Sequence, residues 1–329
     1  MYRILVPDKL GPAALDQLSE YSDVTVDVKT HLSHNELVAT IPQYDAVIVR
    51  GETQVTADVL AAGDKLRVVG RAGVGIDNID LRAATIQGVL VMNTPGANSM
   101  ARAELTLALM LASGRKIPQA HESLKAGEWR RDEFTGRQLH HKVLGCIGFG
   151  RVGKMVAERA KAFGMDILAY DPWVMEETAR ELGILLVELD DLLEQADYIT
   201  LQAPLTPDTT HIINERSLAH VKDSAILINT ARGKLVDEWA LAEALKNGKL
   251  AAAAVDVYSS EPPPPNHPLI GLPNVIHLPH LGASTYEAEY EVGVMIARQV
   301  VSALRGTDYH FAVNLPFELE GNFAAVKPY

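Results

Sequence analysis

VLGCIGFGRVG, residues 143–153, sets a short apolar run directly before three closely spaced glycines. The glycines form the pattern G-x-G-x-x-G at Gly148, Gly150 and Gly153, and an amphipathic segment at 154–163 follows them. A strand, a tight turn and a helix in this order are typical of the first unit of a dinucleotide-binding sheet. In this interpretation Gly148 permits the turn, Gly150 lets a pyrophosphate approach the backbone, and Gly153 lets the helix pack on the strand.

An acidic residue follows the next predicted strand, 166–170. This residue, Asp171, lies 23 residues after Gly148, which is close to the spacing at which an acid binds the ribose hydroxyls of a dinucleotide. A carboxylate there repels a 2′-phosphate, and neither Pro172 nor Trp173 supplies a cation to offset that repulsion. We therefore expect NAD rather than NADP as the cofactor. The alternative is a tight strand-to-helix turn that binds no ligand.

Short apolar runs alternate with amphipathic segments along nearly the whole chain. The runs are 4–6, 24–28, 46–49, 66–69, 89–92, 143–147, 167–170, 185–187, 198–201, 225–228, 251–255 and 275–278. Strands that alternate with helices form parallel sheets covered by helices on both faces. The two series predict an α/β fold of two doubly wound parallel-sheet lobes, Rossmann- or flavodoxin-like, with a cleft between them. The length of 329 residues also corresponds to about two domains.

Two strongly helical segments, 99–113 and 285–305, define the predicted domain boundaries. We interpret both as crossing between the lobes, so that the end of the chain returns to the first lobe and the two helices form a hinge. The predicted domains are a discontinuous substrate-binding domain, 1–97 plus 286–329, and an NAD-binding Rossmann domain, 98–285.

Composition excludes several classes of protein. Thirty Lys and Arg against 42 Asp and Glu give a net charge of −12, which argues against nucleic acid as a partner. The single cysteine, Cys146, excludes an internal disulfide and suits a reducing compartment. The long uncharged stretches, 83–101 and 262–286, are interrupted by prolines and asparagines, so no membrane span is expected. These features predict a cytoplasmic protein without a signal peptide.

Residues that follow the predicted strands are candidates for the site, because ligands of doubly wound sheets bind beyond the carboxyl ends of the strands. Three of them, Arg232, Glu261 and His280, suit hydride transfer at a small 2-hydroxy acid. An imidazole takes up the hydroxyl proton, a carboxylate fixes the tautomer of the imidazole, and a guanidinium binds the substrate carboxylate. Backbone N–H groups in 71–75 are expected to form a nest for the same carboxylate. For Arg232 and Glu261 the alternative is an ordinary loop position.

Two further sequence features, a histidine pair and a basic segment, are considered as ligand sites. His277 and His280 lie three residues apart, but Pro279 prevents a regular helix and no nearby acid or cysteine completes a set, so no metal site is expected. Residues 115–142 carry seven Lys or Arg and four Asp or Glu, a local net charge of +3. This segment is either a solvated arm or a surface presented to an anionic ligand or a partner subunit.

The chain resembles the D-2-hydroxyacid dehydrogenases over nearly all of 1–315. The resemblance rests on GRAGVGIDNIDL (70–81), NTPGANSMARAE (93–104), LGCIGFGRVG (144–153), NTARGKLVDE (229–238), AVDVYSSEPP (254–263) and LPHLGAST (278–285). It implies that the catalytic residues are Arg232, Glu261 and His280. The cofactor positions that it implies are Gly148, Gly150, Arg151, Val152, Gly153, Asp171, Thr206, Ala231 and Asp256, the last at the nicotinamide carboxamide. The implied substrate positions are Arg50, Arg71, Gly73, Val74 and Asn98.

Within this family the chain is most similar to the members that oxidise 3-phospho-D-glycerate to 3-phosphohydroxypyruvate for serine synthesis. This similarity rests on Arg50, Arg71 and the WRR at 129–131, which in similar enzymes reaches the site of the neighbouring subunit. It implies a homodimer that pairs through 99–142. Gln54 departs from the pattern, since similar enzymes often carry a lysine there. The length also leaves no room for a C-terminal regulatory domain, so serine feedback is not expected.

Two alternative functions remain open on the sequence. The first is a dehydrogenase or reductase for another small acid, such as hydroxypyruvate, glyoxylate or sulfolactate, whose sulfonate would also suit an arginine cluster. The second is an NAD-sensing corepressor on the same fold, which can keep the catalytic residues but usually needs long partner-recruiting tails.

Overall fold

The computed structural model describes residues 1–315, which divide into two compact units. The first unit comprises Met1–Asn98 and the described residues from Ala283 onward, and the second comprises Ser99–Gly282. Residues 316–329, which the sequence prediction assigns to the substrate-binding domain, lie outside the described residues. The chain therefore passes between the units at 98–99 and at 282–283.

The first unit contains a five-stranded parallel sheet. Its strands are β1 (Tyr2–Val6), β2 (Val24–Val28), β3 (Ala46–Val49), β4 (Val68–Arg71) and β5 (Leu90–Met92). They lie in the order β2-β1-β3-β4-β5, and every neighbouring pair is parallel. This is the flavodoxin-like strand order, so the predicted fold class is confirmed for this lobe.

Helices cover both faces of this sheet. They are α1 (Pro12–Ser19), α2 (His34–Thr40), α3 (Ala57–Ala62), α4 (Leu81–Ile86) and, from the end of the chain, α12 (Tyr286–Arg305), with a 3-10 turn at Ile41–Gln43. Side chains alternate between the faces along each strand. Ile4 and Val6 therefore face a core that includes Ile296 and Val300 of α12, whereas Leu5 faces the core under α2–α4.

The second unit contains a seven-stranded parallel sheet. Its strands are β6 (Val143–Ile147), β7 (Asp166–Tyr170), β8 (Leu185–Leu186), β9 (Tyr198–Leu201), β10 (Ile226–Asn229), β11 (Ala252–Val255) and β12 (Val275–His277). They lie in the order β12-β11-β10-β9-β6-β7-β8. Read from β8, this is the Rossmann order with one extra strand, so the strand order reverses between β6 and β9. The predicted fold class is confirmed here as well.

Seven helices belong to the second unit. They are α5 (Ser99–Gly114), α6 (Ile117–Lys125), α7 (Arg151–Ala162), α8 (Glu176–Glu181), α9 (Leu189–Gln195), α10 (Glu215–His220) and α11 (Glu238–Lys246), with 3-10 turns at Arg131–Phe134 and Gly233–Leu235. One buried core includes residues of α5 and α7, and the core on the opposite face includes residues of α9 and α11. Within the described part of the chain, no helix is both long and apolar enough to cross a membrane.

The predicted strands are all present, and their ends lie within two residues of the observed ones. Around the glycine pattern, the predicted and observed bounds differ most at the start of α7, which the amphipathic pattern predicts at Lys154. The helix begins at Arg151 because Gly150 is its N-cap, so the glycine turn opens directly into the first helical turn. The helices predicted as a hinge, α5 and α12, begin close to the two chain passages, and their hinge role stays a prediction.

Candidate active site

The glycine pattern forms a tight turn between β6 and α7. Gly148 has a φ of 91°, and a Cβ there would lie 2.5 Å from the backbone nitrogen of Ala203. A Cβ on Gly153 would overlap the carbonyl oxygen of Gly148, so these two glycines let the helix and the strands approach closely. Gly150 differs, because no further atom of residues 1–315 lies within 4 Å of the Cβ position there. There is therefore open space in front of the helix start.

The N-terminus of α7 faces this space with Arg151 and Val152 in its first turn. The first N–H groups of a helix have no intrahelical partner and carry a partial positive charge, so they favour an anion such as a phosphate. Asp171, at the end of β7, lies beside the turn. Its carboxylate accepts hydrogen bonds from the N–H of Phe149 at 2.8 Å and of Trp173 at 2.9 Å. The acid is therefore held in a fixed position next to the glycine turn.

The other predicted cofactor residues follow β9, β10 and β11 at the same edge of the sheet. Thr206 is fixed by Thr209, whose hydroxyl accepts its N–H at 2.7 Å. Ala231 is buried, and its N–H donates to Oδ1 of Asn229 at 3.1 Å. All these residues lie on the edge that carries the glycine turn because the strands are parallel.

Asp256 is fully buried and shapes the turn after β12. Its carboxylate accepts the N–H groups of Leu281 at 2.6 Å and Gly282 at 2.8 Å, and its carbonyl accepts the N–H of His280 at 2.9 Å. Burial raises the pKa of the Asp256 carboxyl above its usual value, although these hydrogen bonds oppose the shift. Its predicted contact with a nicotinamide carboxamide stays a prediction.

His280 adopts a left-handed backbone conformation with a φ of 57°, which is uncommon for a residue other than glycine. The three backbone hydrogen bonds to Asp256 hold the turn in this shape. Nδ1 of the imidazole lies 2.6 Å from Oε2 of Glu261, and its side chain is 45% exposed. Because Nδ1 is engaged by a carboxylate, Nε2 is the nitrogen that remains to exchange a proton with a ligand.

Glu261 completes this pair from the loop after β11. Its other oxygen, Oε1, accepts the N–H of Tyr258 at 3.1 Å. Burial raises the pKa of Glu261, but the hydrogen bonds from His280 and Tyr258 and the positive charge of Arg232 outweigh it and hold the pKa below its usual value. The carboxylate is therefore ionised at neutral pH, and it holds the imidazole through Nδ1.

Arg232 follows β10, next to the loop that carries Glu261. Its carbonyl accepts the side-chain amide of Asn229 at 2.9 Å, and its Nη1 donates to the carbonyl of Ala231 at 2.7 Å. A Cβ on Gly233 would overlap the carbonyl carbon of Tyr258, so the turn after Arg232 lies directly against the 258–261 loop. The three predicted catalytic residues thus occupy neighbouring strand ends, and Glu261 and His280 are in direct contact.

The predicted substrate residues lie in the first unit, at the carboxyl ends of β3, β4 and β5. Val49 pairs with Arg71, so Arg50 follows directly on one strand while Arg71 ends the next. A Cβ on Gly73 would overlap the guanidinium of Arg71, so the glycine makes room for that side chain. Val74 is fixed through its carbonyl, which accepts the side-chain amide of Asn93 at 2.7 Å, and Asn98 is buried.

Residues 107–282 match the sequence model of a family described as D-isomer specific 2-hydroxyacid dehydrogenase, NAD binding domain. The chain belongs to this family. The match covers most of the second unit, including the glycine turn, Arg232, Glu261 and His280.

Two curated relatives named D-3-phosphoglycerate dehydrogenase align along almost all of this chain. The protein of Methanocaldococcus jannaschii is 49% identical over 330 residues, which cover 100% of this chain and 62% of its own length. The protein of Archaeoglobus fulgidus is 46% identical over 327 residues, 99% of this chain and 62% of its own length. The chain thus spans less than two thirds of either relative.

A solved structure has the same fold. The TT0316 protein from Thermus thermophilus superposes with a TM-score of 0.88 and 35% sequence identity, covering 94% of this chain and 99% of that chain.

Two residues that the sequence analysis does not identify fix the loop around Arg50. The buried carboxylate of Asp8 accepts the N–H of Arg50 at 2.5 Å and the hydroxyl of Thr53. The side-chain amide of Asn78 donates to the carbonyls of Arg50 at 2.9 Å and Thr53 at 2.6 Å. A signal for Asp8 is present in the sequence, since it closely follows the first apolar run, whose carboxyl end lies at the same sheet edge as the other candidates.

The arm at 115–142 carries Trp129, which is 80% exposed. Arg130 forms ion pairs with Glu128 at 3.0 Å and Glu133 at 3.3 Å. Arg131 has no ion pair with any residue of 1–315. Of the two predicted donors to a neighbouring site, Arg131 is therefore the one that is not already engaged by a carboxylate of this arm.

In the described part of the chain, no group of three or more His, Cys, Asp or Glu could hold a metal ion. Nδ1 of His277 lies 3.5 Å from the hydroxyl of Tyr258, and burial together with the nearby His267 lowers the pKa of His277. That histidine therefore belongs to the packing behind the 258–261 loop.

Proposed function

We propose that the chain oxidises 3-phospho-D-glycerate to 3-phosphohydroxypyruvate with NAD, the first reaction of serine synthesis. The observation that carries this proposal is the contact between His280 and Glu261 at 2.6 Å, at the same sheet edge as the glycine turn. Membership of the D-isomer specific 2-hydroxyacid dehydrogenases supports the reaction class. The names of the two relatives at 49% and 46% identity support the substrate.

The residues present fit NAD. The open space before Gly150, the N–H groups of the first turn of α7 and the fixed carboxylate of Asp171 would hold its pyrophosphate and ribose. Thr206, Ala231 and Asp256 follow neighbouring strands and would line the rest of the site. When bound, NAD accepts the hydride that leaves the substrate carbon.

The proton of the substrate hydroxyl passes to Nε2 of His280 in this proposal. Glu261 stays ionised through this step because its pKa is lowered, and it stabilises the imidazolium that forms. Arg232 binds the substrate carboxylate and stabilises negative charge on the oxygen in the reverse direction.

We further propose that the first unit binds the substrate, with Arg50 and Arg71 contacting the phosphate. Two guanidinium groups at adjacent strand ends suit a doubly charged anion. Gly73, Val74 and Asn98 would fix the remaining loops around it. We also propose that the chain forms a homodimer through 99–142 and is located in the cytoplasm.

A substrate panel tests it. Initial rates with NAD and with NADP are compared for 3-phospho-D-glycerate, D-glycerate and sulfolactate, and with NADH for hydroxypyruvate and glyoxylate. We expect the highest kcat/KM for 3-phospho-D-glycerate with NAD. Arg50→Ala and Arg71→Ala should each lower kcat/KM for 3-phospho-D-glycerate about 10-fold or more and leave the rate with D-glycerate nearly unchanged. The control, Arg82→Ala on the exposed surface of α4, should leave both rates unchanged.

Three outcomes would replace the proposal. A higher kcat/KM for sulfolactate would indicate a sulfonate substrate at the same arginines. Preference for glyoxylate or hydroxypyruvate would indicate a reductase for an unphosphorylated acid. Tight NADH binding without turnover of any acid would indicate the corepressor.

A further inference from the structure

A buried acid and histidine lie behind the loop that carries Glu261. The side chains of Glu238 and His267 are 9% and 3% exposed, and Oε2 of Glu238 lies 3.0 Å from Nε2 of His267. Nδ1 of His267 accepts the N–H of Leu269 at 3.3 Å. Nδ1 is therefore the acceptor nitrogen, and Nε2 lies at ion-pair distance from the acid without a hydrogen bond to any residue of the described chain.

The remaining capacity of Glu238 is used by one residue of the loop. Oε1 accepts the N–H of Ser259 at 2.9 Å, and Oε2 accepts the hydroxyl of the same serine. Buried carboxylates are costly unless hydrogen bonds and partners compensate them. Glu238 accepts the two hydrogen bonds from Ser259 and lies at ion-pair distance from His267, so it connects the loop to the first turn of α11.

Tyr258 connects Glu238 and His267 to the pair formed by Glu261 and His280. Its N–H donates to Oε1 of Glu261 at 3.1 Å, and its ring meets the ring of His267 edge-on, with 5.4 Å between the centroids. On the other side, Gly233 leaves no space for a side chain between itself and the Tyr258 backbone. The peptide unit before Ser259 is thus held from both sides.

We propose that Glu238 and His267 are positioning residues for the dehydrogenase reaction. They hold Tyr258 and Ser259 so that the Tyr258 N–H and Nδ1 of His280 meet the two oxygens of Glu261 at once. The inference rests on the proposed function, because it assigns the pair a role in the proton transfer at His280. Neither Glu238 nor His267 touches the proposed reacting groups.

Kinetics of Glu238→Gln test the proposal, with Glu243→Gln on the exposed side of α11 as the control. We expect kcat to fall about 10- to 100-fold, as for a catalytic group displaced by a fraction of an ångström to one ångström. The Kd for NADH should stay within about 2-fold, because Glu238 contacts Ser259 and His267 and hydrogen-bonds to none of the proposed NAD-binding residues. The control should match the wild type in both values.

A double-mutant cycle separates positioning from a loss of structure. If Glu238 acts through Glu261, then Glu238→Gln should have little further effect on kcat in a Glu261→Gln background. A drop of the same size in both backgrounds, or an unchanged kcat in the single variant, would overturn the proposal. Should Glu238→Gln fail to fold, Ser259→Ala, which removes only the hydroxyl contact, is taken through the same cycle.

A second readout does not depend on turnover. The 15N chemical shift of Nδ1 of His280, assigned by its absence in His280→Gln, reports the contact with Glu261. Glu238→Gln should move this shift in the same direction as Glu261→Gln, and an unmoved shift would contradict positioning. If the wild type turns over none of the acids in the panel, the proposed function fails, while this spectrum still decides whether Glu238 and His267 hold the catalytic loop.

Discussion

The carboxylate of Glu261 has a pKa below the usual value for glutamate although burial alone would raise it. The difference comes from two donors, the imidazole of His280 and the N–H of Tyr258, and from the charge of Arg232. Both donors lie at hydrogen-bond distance. The carboxylate is thus bound more favourably in its charged form, and its contribution to stability depends on pH.

The sign of that dependence follows from the lowered pKa. The contribution is fully present above the ordinary glutamate pKa of about 4.3 and is lost as the pH falls through the lower folded value. We expect Glu261→Gln to lower Tm at pH 7, and the gap from the wild type to narrow below about pH 4. Calorimetry across this range measures the gap, with Glu243→Gln as the exposed control. A gap of constant size would show that the charged form of Glu261 does not stabilise the fold.

Residue types at strand ends were predictable, and their supporting contacts were not. His280 and Glu261 follow predicted strands and have the chemistry that the proposed reaction needs, so position and residue type make them candidates. The left-handed backbone of His280 depends on Asp256, which lies 24 positions earlier in the sequence. Glu238 and His267 approach the loop from different elements, and no spacing in the sequence indicates that they meet.

The turn from β6 into α7 contains glycines with two different surroundings. Gly153 packs against the carbonyl oxygen of Gly148, whereas Gly150 faces open space. The first is a requirement of packing, and the second is a requirement of ligand approach in the proposed function. We therefore expect an alanine at Gly150 to affect ligand binding and an alanine at Gly153 to affect stability.

Gly150→Ala should leave Tm within about 2 °C of the wild type, because the added Cβ meets no other side chain, and should weaken NADH binding about 10-fold or more. Gly153→Ala should lower Tm by several degrees, since overpacking costs about 1–3 kcal/mol. Thermal unfolding and NADH fluorescence titration measure both effects. Unchanged NADH affinity in Gly150→Ala would show that the dinucleotide does not approach that turn.

The strands themselves were predictable because buried parallel strands appear as short continuous apolar runs. The strand orders were not, since the apolar runs contain no information on which neighbours pair. The start of α7 was predicted three residues late because amphipathicity begins only after the turn that Gly150 caps. At β4, the observed strand extends to Arg71, so that a predicted loop residue is the last residue of a strand.

The whole chain carries a net charge of −12, yet the arginines proposed to bind the anionic substrate lie at a few positions. Arg50 and Arg71 lie at adjacent strand ends of the first unit, Arg232 lies at a strand end of the second, and Arg131 lies on the arm. In the proposed function an anionic substrate is selected by these few arginines. The arm contributes to that set only if the chain forms a dimer.

Light scattering should give twice the chain mass of 35.7 kDa, because the proposed contact through 99–142 pairs two copies. Mixing tests the role of the arm. Arg131→Ala and His280→Ala, each weakly active or inactive alone, should regain activity when co-refolded, because one site of the mixed dimer then has both intact residues. A monomer, or a mixture no more active than its parts, would rule out a site shared between subunits.

The most direct test of the central claim is the rate of NAD reduction by 3-phospho-D-glycerate in the wild type and in His280→Ala, with the Kd for NADH measured on both. We expect robust turnover by the wild type and a loss of at least about 100-fold in kcat in the variant. NADH affinity should remain nearly unchanged, because the glycine turn and Asp171 are intact. Undiminished turnover in His280→Ala would show that this histidine does not transfer the proton.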